Sequence, residues 1–211
     1  MSNRVTAITP QKKRRQRYNV FLDGEYAFSL SAKLALAITP EDVLSEQRIN
    51  ELKNADEIEC AFEKALYYLK FRPRSTAEIS RYLAGKNFGG KSIEAALQRL
   101  RHYEYIDDAA FADFWVESRK KGNPKGLFAL RYELREKGID KALIENALSR
   151  YNELEPAWQA VSSRLGGWSK LPEFELKVKI YNFLKQRGFA LDTCETVFAR
   201  AAGQITAENE P

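Results

Sequence analysis

One six-residue pattern, repeated three times at nearly constant spacing, constrains this chain more than any other feature. Leu83-Ala84-Gly85-Lys86-Asn87-Phe88, Leu134-Arg135-Glu136-Lys137-Gly138-Ile139 and Leu184-Lys185-Gln186-Arg187-Gly188-Phe189 begin 51 and 50 residues apart. Each reads leucine, two variable residues, a base, asparagine or glycine, and a large apolar residue. Such a string is a helix end. The base suits the negative end of the helix dipole. Gly138 and Gly188 stand where the backbone must turn left-handed, and Asn87 is the next residue type that tolerates that turn. Phe88, Ile139 and Phe189 then supply the apolar contact that seals the cap.

The equivalence extends on both sides. Five and nine residues beyond each seal come Ile93 and Leu97, Ile144 and Leu148, Cys194 and Phe198, at helical spacing. Upstream of each cap another helix is predicted, over 56–71, 108–120 and 155–165. Asp107-Asp108 opens the middle one as an N-cap, and Ser75 with Glu78 forms a capping box ahead of the first repeated cap. Most of the chain therefore reads as tandem three-helix, helix-turn-helix-like repeats, at 55–106, 107–152 and 153–204. An elongated curved array is expected, because such units contact mainly their neighbours.

The front differs. Tyr18, Val20 and Leu22 alternate, Asp23-Gly24 makes a turn, and Tyr26, Phe28 and Leu30 alternate again, which is a strong hairpin signal. Val5 to Ile8 adds a third strand. A short helix over Ser31 to Ala37 stops at Thr39-Pro40, and a second runs from Glu41 to Lys53. Residues 1–54 thus form a small β-rich extension on a mainly α protein, and residues 205–211 read as a disordered tail.

Several chemistries lack their residues. The single histidine, His102, and two distant cysteines, Cys60 and Cys194, make no zinc site and no disulfide framework. Both thiols are expected as small buried hydrophobes in a reducing compartment, and His102 as a dipole partner at a helix end. Gly85 to Ser92 matches the bare spacing of a phosphate-binding loop, but no strand precedes it and the repeat makes it an interhelical turn. No metal, cofactor or catalytic constellation is predicted. No run is long and apolar enough to span a bilayer, and no signal-peptide stretch follows Arg14 and Arg15, so a cytoplasmic protein is expected.

What remains is charge and surface. The chain carries a net charge of +5, and its bases are clustered. Arg4, Lys12, Lys13, Arg14, Arg15 and Arg17 lie in a 22-residue stretch without an acid, and Arg119, Lys120, Lys121, Lys125 and Arg131 in a second acid-free run. Arg72 and Arg74 flank the first interhelical turn. A solvated face usually mixes signs, so Lys12 to Arg17, Arg72, Arg74 and the run from Arg119 to Arg131 are the candidate contacts for phosphate or an acidic surface. No dimerisation seam stands out, and a monomer is expected.

Ala65-Leu66-Tyr67-Tyr68-Leu69 followed by Arg72-Pro73-Arg74-Ser75, Glu78 and Leu83 resembles the first repeat of the RecX family. Tyr105-Ile106-Asp107-Asp108 with Phe111-Ala112 is similar to that family's link into its second repeat. Leu134 to Gly138, then Phe183-Leu184 and Arg187-Gly188-Phe189, continue the likeness. Asn87 stands where the family usually has glycine, and Ile106 where leucine is usual. The resemblance implies a modulator, usually an inhibitor, of the recombinase RecA. It would lodge in the groove of the RecA–single-stranded DNA filament and limit ATPase, strand-exchange and co-protease activity. Free DNA is a further partner to consider. The competing reading is a stand-alone helix-turn-helix DNA-binding regulator, but 139–151 looks like a packing helix rather than a base reader.

Overall fold

The computed structural model describes residues 2–12 and 16–209, with side chains to residue 207. The chain divides into two compact units, one ending at Ile106 and the other beginning at Asp107.

In the first unit, β1 (Val5–Pro10), β2 (Arg17–Leu22) and β3 (Glu25–Ser31) form an antiparallel sheet in the order β1-β2-β3. Asp23 and Gly24, at φ 49° and 90°, both take the left-handed conformation that a two-residue hairpin needs. Val5, Val20, Phe28 and Leu30 face a core shared with Ile38, Leu44 and Leu52. The short helix α1 (Ala32–Ala35) starts at Ser31, whose hydroxyl accepts from Leu34 N.

Two predicted helices prove to be one. Residues 41–44 are not helical: Glu41 turns left-handed at φ 74°, its N donates to Val5 O, and Leu44 N donates to Asn3 O. Ser45 then caps α2 (Glu46–Leu69), 24 residues without interruption. No glycine or proline lies between Glu46 and Leu69, so nothing stops the helix at Lys53. The predicted 54/55 border therefore falls inside α2, whose first half packs on the sheet through Ile49 and Leu52. Its second half joins α3 (Thr76–Ala84) and α4 (Gly90–His102) around Ala61, Phe62, Ala65, Ile79, Leu83, Leu97 and Leu100. Buried Asp56 fixes α2 to the sheet, accepting from Ser31 N at 2.7 Å and from Arg17 Nη1 at 2.9 Å.

The second unit holds two further three-helix sets. The helices α5 (Asp108–Gly122), α6 (Leu127–Glu136) and α7 (Lys141–Leu148) enclose Phe111, Val116, Leu130, Leu134 and Ile144. The helices α8 (Leu154–Trp168), α9 (Glu173–Lys185) and α10 (Leu191–Asn209) enclose Val161, Leu165, Ile180, Leu184 and Val197. Asp107 is the N-cap of α5, accepting from Ala109 N and Ala110 N, whereas Asp108 is already the first helical residue. Helix α10 continues to Asn209, through most of the stretch expected to be a disordered tail; Glu210 and Pro211 lie outside the described residues.

The three repeated caps share one geometry. Asn87, Gly138 and Gly188 have φ of 65°, 75° and 78°. Phe88 N, Ile139 N and Phe189 N each return to the leucine that opens the pattern, at 3.3, 3.1 and 3.2 Å. A second bond runs from each left-handed residue to the carbonyl three residues back, which completes the Schellman motif. The capping box at Ser75 and Glu78 is complete as well.

The last two sets are clasped together. Glu153, 7% exposed, accepts from Leu127 N at 2.8 Å, Ala190 N at 2.9 Å and Thr193 Oγ1 at 2.7 Å. One carboxylate thereby satisfies the starts of both α6 and α10, where the helix dipole also favours negative charge. Beside it, Gly126 N donates to Arg187 O and Phe128 N to Gly188 O. A side chain on Gly188 would collide with the backbone of Ala129, and one on Gly126 with Gly188 and Phe189.

Two substitutions separate these requirements. Asn87→Gly should raise the unfolding free energy by about 0.5–1 kcal/mol, because glycine carries no left-handed penalty. Gly188→Ala should lower it by at least about 2 kcal/mol, from backbone strain and collision together. Urea denaturation followed by circular dichroism reads both.

Candidate binding surface

Arginine and lysine behave differently across the predicted contact residues. Arg17 lies against Asp56, with Nη2 2.9 Å from Oδ2, and donates to Cys60 Sγ at 2.8 Å. Arg72 holds Glu78 through two parallel bonds of 2.9 and 3.1 Å, and also donates to Pro73 O. Arg119 bonds Glu133 at 2.7 Å and stacks over Trp115, which donates Nε1–H to the same carboxylate. Arg131 holds Glu145 through bonds of 2.7 and 2.9 Å. These four arginines are committed to the protein's own carboxylates. The planar guanidinium fork matches a carboxylate edge, which explains why they, rather than lysines, occupy these places.

The lysines are freer. Lys12 and Lys121 are exposed, and neither has an ion-pair partner among the described residues. Lys120 meets exposed Glu117, one helical turn away, at 3.7 Å. Lys125 is half-buried, and its carbonyl accepts from Tyr151 OH at 2.8 Å. Lys13, Arg14 and Arg15 lie outside the described residues.

Arg74 is the exception among the arginines. It makes no salt bridge among the described residues and lies over the Tyr68 ring at 3.9 Å, while Tyr68 and Tyr82 stack at 4.1 Å with planes 9° apart. Lys86 sits over Tyr82 at 5.8 Å. The cap bases share this habit, for Lys137 lies over Trp115 and Arg187 over Phe183. Burial and neighbouring Arg164 pull the Arg187 pKa below its usual value.

Exposed aromatic residues complete the surface, and the sequence reading did not single them out. Tyr67 and Phe71, 61% and 66% exposed, meet edge to face at 5.3 Å at the end of α2. Their sequence signal is that neither falls in the apolar register Phe62, Ala65, Leu66, Leu69. On α6, Phe128 and Tyr132 stand one turn apart in solvent, as do Phe174 and Val178 on α9.

No group of three or more potential metal ligands occurs among the described residues. His102 ends α4 as expected, against Tyr103. Cys194 is fully buried, but Cys60 is only half-buried and sits in the Arg17–Asp56 cluster rather than in an apolar core. Burial and Asp56 raise its pKa, which keeps the thiol protonated at neutral pH. No described helix is long and apolar enough to cross a membrane.

Successive three-helix sets, each with its own core, closed by one turn geometry and carrying bases and exposed aromatics, define a helical-repeat protein. Family comparisons agree with that class and refine it. The RecX N-terminal domain matches residues 3–38, the first RecX three-helix domain residues 61–100, and the second residues 107–148. Regulatory protein RecX of Bacillus subtilis (strain 168) is 36% identical over 211 residues, 98% of this chain and 78% of that one. That of Bacillus licheniformis is 35% identical, over 98% and 79% of the two chains. A crystal structure of regulatory protein RecX superposes with a TM-score of 0.72 at 28% identity, covering 92% of this chain and 98% of that one. RecX from Lactobacillus salivarius, at 24% identity and a TM-score of 0.64 over 70% of this chain and 98% of that one, shares the fold. The chain belongs to the RecX family of regulatory proteins.

The two kinds of base are separable by mutation. Arg72→Ala leaves the nearly buried Glu78 carboxylate without its fork and should cost about 2–3 kcal/mol of stability. Lys121→Ala should leave stability within about 0.5 kcal/mol of wild type. Thermal denaturation of both variants checks the distinction.

Proposed function

We propose that this protein modulates, in the inhibitory direction, the recombinase RecA, by binding in the groove of the RecA–single-stranded DNA filament. It thereby limits ATP hydrolysis, strand exchange and co-protease activity, and acts in recombination, DNA repair and the SOS response. The observation that carries the reading is membership of the RecX family across its N-terminal and both three-helix domains. The residue-level resemblance in the sequence names RecA as that regulator's partner. Three-helix sets in series can each make a modest contact, and linked contacts multiply into useful avidity. Exposed lysines add a salt-sensitive attraction to DNA or to acidic protein surface. The protein works as a cytoplasmic monomer without cofactor, the bases positioning it and the apolar surface supplying specificity.

RecA ATPase on single-stranded DNA, with this protein titrated below stoichiometry, tests the proposal. Inhibition at levels too low to coat the DNA is expected. No effect on RecA, with tight binding to bare duplex, would favour a stand-alone DNA-binding regulator instead. Charge reversal of Lys12, Lys13, Arg14 and Arg15 should weaken filament binding and flatten its salt dependence. Unchanged affinity and salt slope would remove the N-terminal bases from the interface.

A further inference from the structure

The end of α2 and the turn that follows it combine two features seldom left together on a surface without a ligand. Tyr67 and Phe71 are large, apolar and mostly exposed, and their rings are held edge to face. Around them, Lys64 and Lys70 are exposed, and neither has an ion-pair partner among the described residues. Arg74 follows in the turn, stacked on Tyr68, its buried Nε–H donating to no acceptor among the described residues. Its neighbour Arg72, by contrast, is consumed by Glu78.

An exposed aromatic pair alone would suit any apolar partner. The surrounding unneutralised cations narrow the choice to a partner that is both flat-faced and anionic. Single-stranded nucleic acid meets both conditions. Its unstacked bases offer faces to aromatic rings, and its phosphates offer charge to lysine and arginine. Duplex DNA keeps its bases stacked inside and offers these rings nothing to cover. A folded acidic protein could satisfy the cations but would have to bring an apolar patch of its own.

We infer that Tyr67 and Phe71 form a stacking platform for unpaired nucleobases, with Lys64, Lys70 and Arg74 holding the flanking phosphates. The Arg74–Tyr68–Tyr82 stack holds the arginine in the turn that follows the platform, so its position does not have to be ordered on binding. The assignment deepens the filament reading and rests on it for the biological setting. It makes the DNA strand, and not only the recombinase, a direct partner of the first three-helix set.

The test is fluorescence anisotropy of labelled oligo(dT) and of a duplex of equal length, across a salt series, with no recombinase present. Tyr67→Ala/Phe71→Ala removes two solvent-exposed rings, and thermal denaturation confirms that the variant folds. It should bind oligo(dT) at least about tenfold more weakly, with little change on duplex. Lys64→Gln/Lys70→Gln should lower the salt slope on oligo(dT) by about 0.7 for each phosphate no longer neutralised. Oligo(dT) binding unchanged in both variants would overturn the assignment, as would equal losses on single strand and duplex. RecA ATPase assayed in parallel separates the two proposals. Aromatic variants that keep oligo(dT) binding but no longer affect RecA would make the platform a protein-binding surface and overturn it. Aromatic loss of oligo(dT) binding, in a protein that leaves RecA unaffected even as wild type, upholds the platform and removes the filament reading.

Discussion

Each three-helix set depends on a single residue whose backbone turns left-handed. Asn87, Gly138 and Gly188 end the second helix of their set and, through one pair of backbone bonds, aim the chain into the third. The apolar residue that follows is carried toward the core, where Ile139 and Phe189 are 5% and 3% exposed. Gly188 bears a second obligation, because its carbonyl receives Phe128 N and its missing side chain leaves room for Ala129. The turn that closes the last set is therefore also the seat on which the preceding set rests. Glu153 completes that seat, and the pair explains why residues beyond Asp107 form one compact unit with two separate cores.

Charge in this protein has two uses, divided largely by residue type. Arg17, Arg72, Arg119 and Arg131 face the protein's own carboxylates, where a rigid, weakly hydrated fork makes the most of a fixed partner. Lys12, Lys64, Lys70 and Lys121 stay in water, keep their charge available and are the groups a phosphate would meet first. A positive net charge alone would not distinguish these uses, since both contribute equally to it. Two of the unpaired lysines, Lys64 and Lys70, share the end of α2 with exposed Tyr67 and Phe71, and this coincidence gives that part of the basic surface chemical meaning beyond attraction.

The features legible in the sequence are those made by neighbours along the chain. Caps, the capping box, the Asp23-Gly24 hairpin and the three-helix periodicity are local, and their residues carry the required conformations by themselves. Features fixed by distant partners are harder to read. The continuity of α2 is hidden because Thr39-Pro40 suggests an immediate helix start, whereas residues 41–44 are tied to Asn3 and Val5 by backbone bonds and stay out of the helix. Glu153 looks like any acid near a helix start until Leu127, Ala190 and Thr193 converge on it. Likewise, nothing in the string Arg72-Pro73-Arg74 tells that one arginine is locked to Glu78 while the other is not. Tyr67 and Phe71 escape notice because an aromatic residue in a helix is ordinarily assigned to the core.

Binding to the assembled filament, in preference to its parts, is the claim on which the functional reading stands. Co-sedimentation tests it most directly: this protein is mixed with RecA–single-stranded DNA filaments locked by a slowly hydrolysed ATP analogue, and in parallel with DNA-free RecA and with RecA-free DNA. The protein should pellet with the filament at concentrations where neither component alone retains it. Equal retention by bare DNA and by the filament would contradict filament recognition and leave a DNA-binding protein in its place.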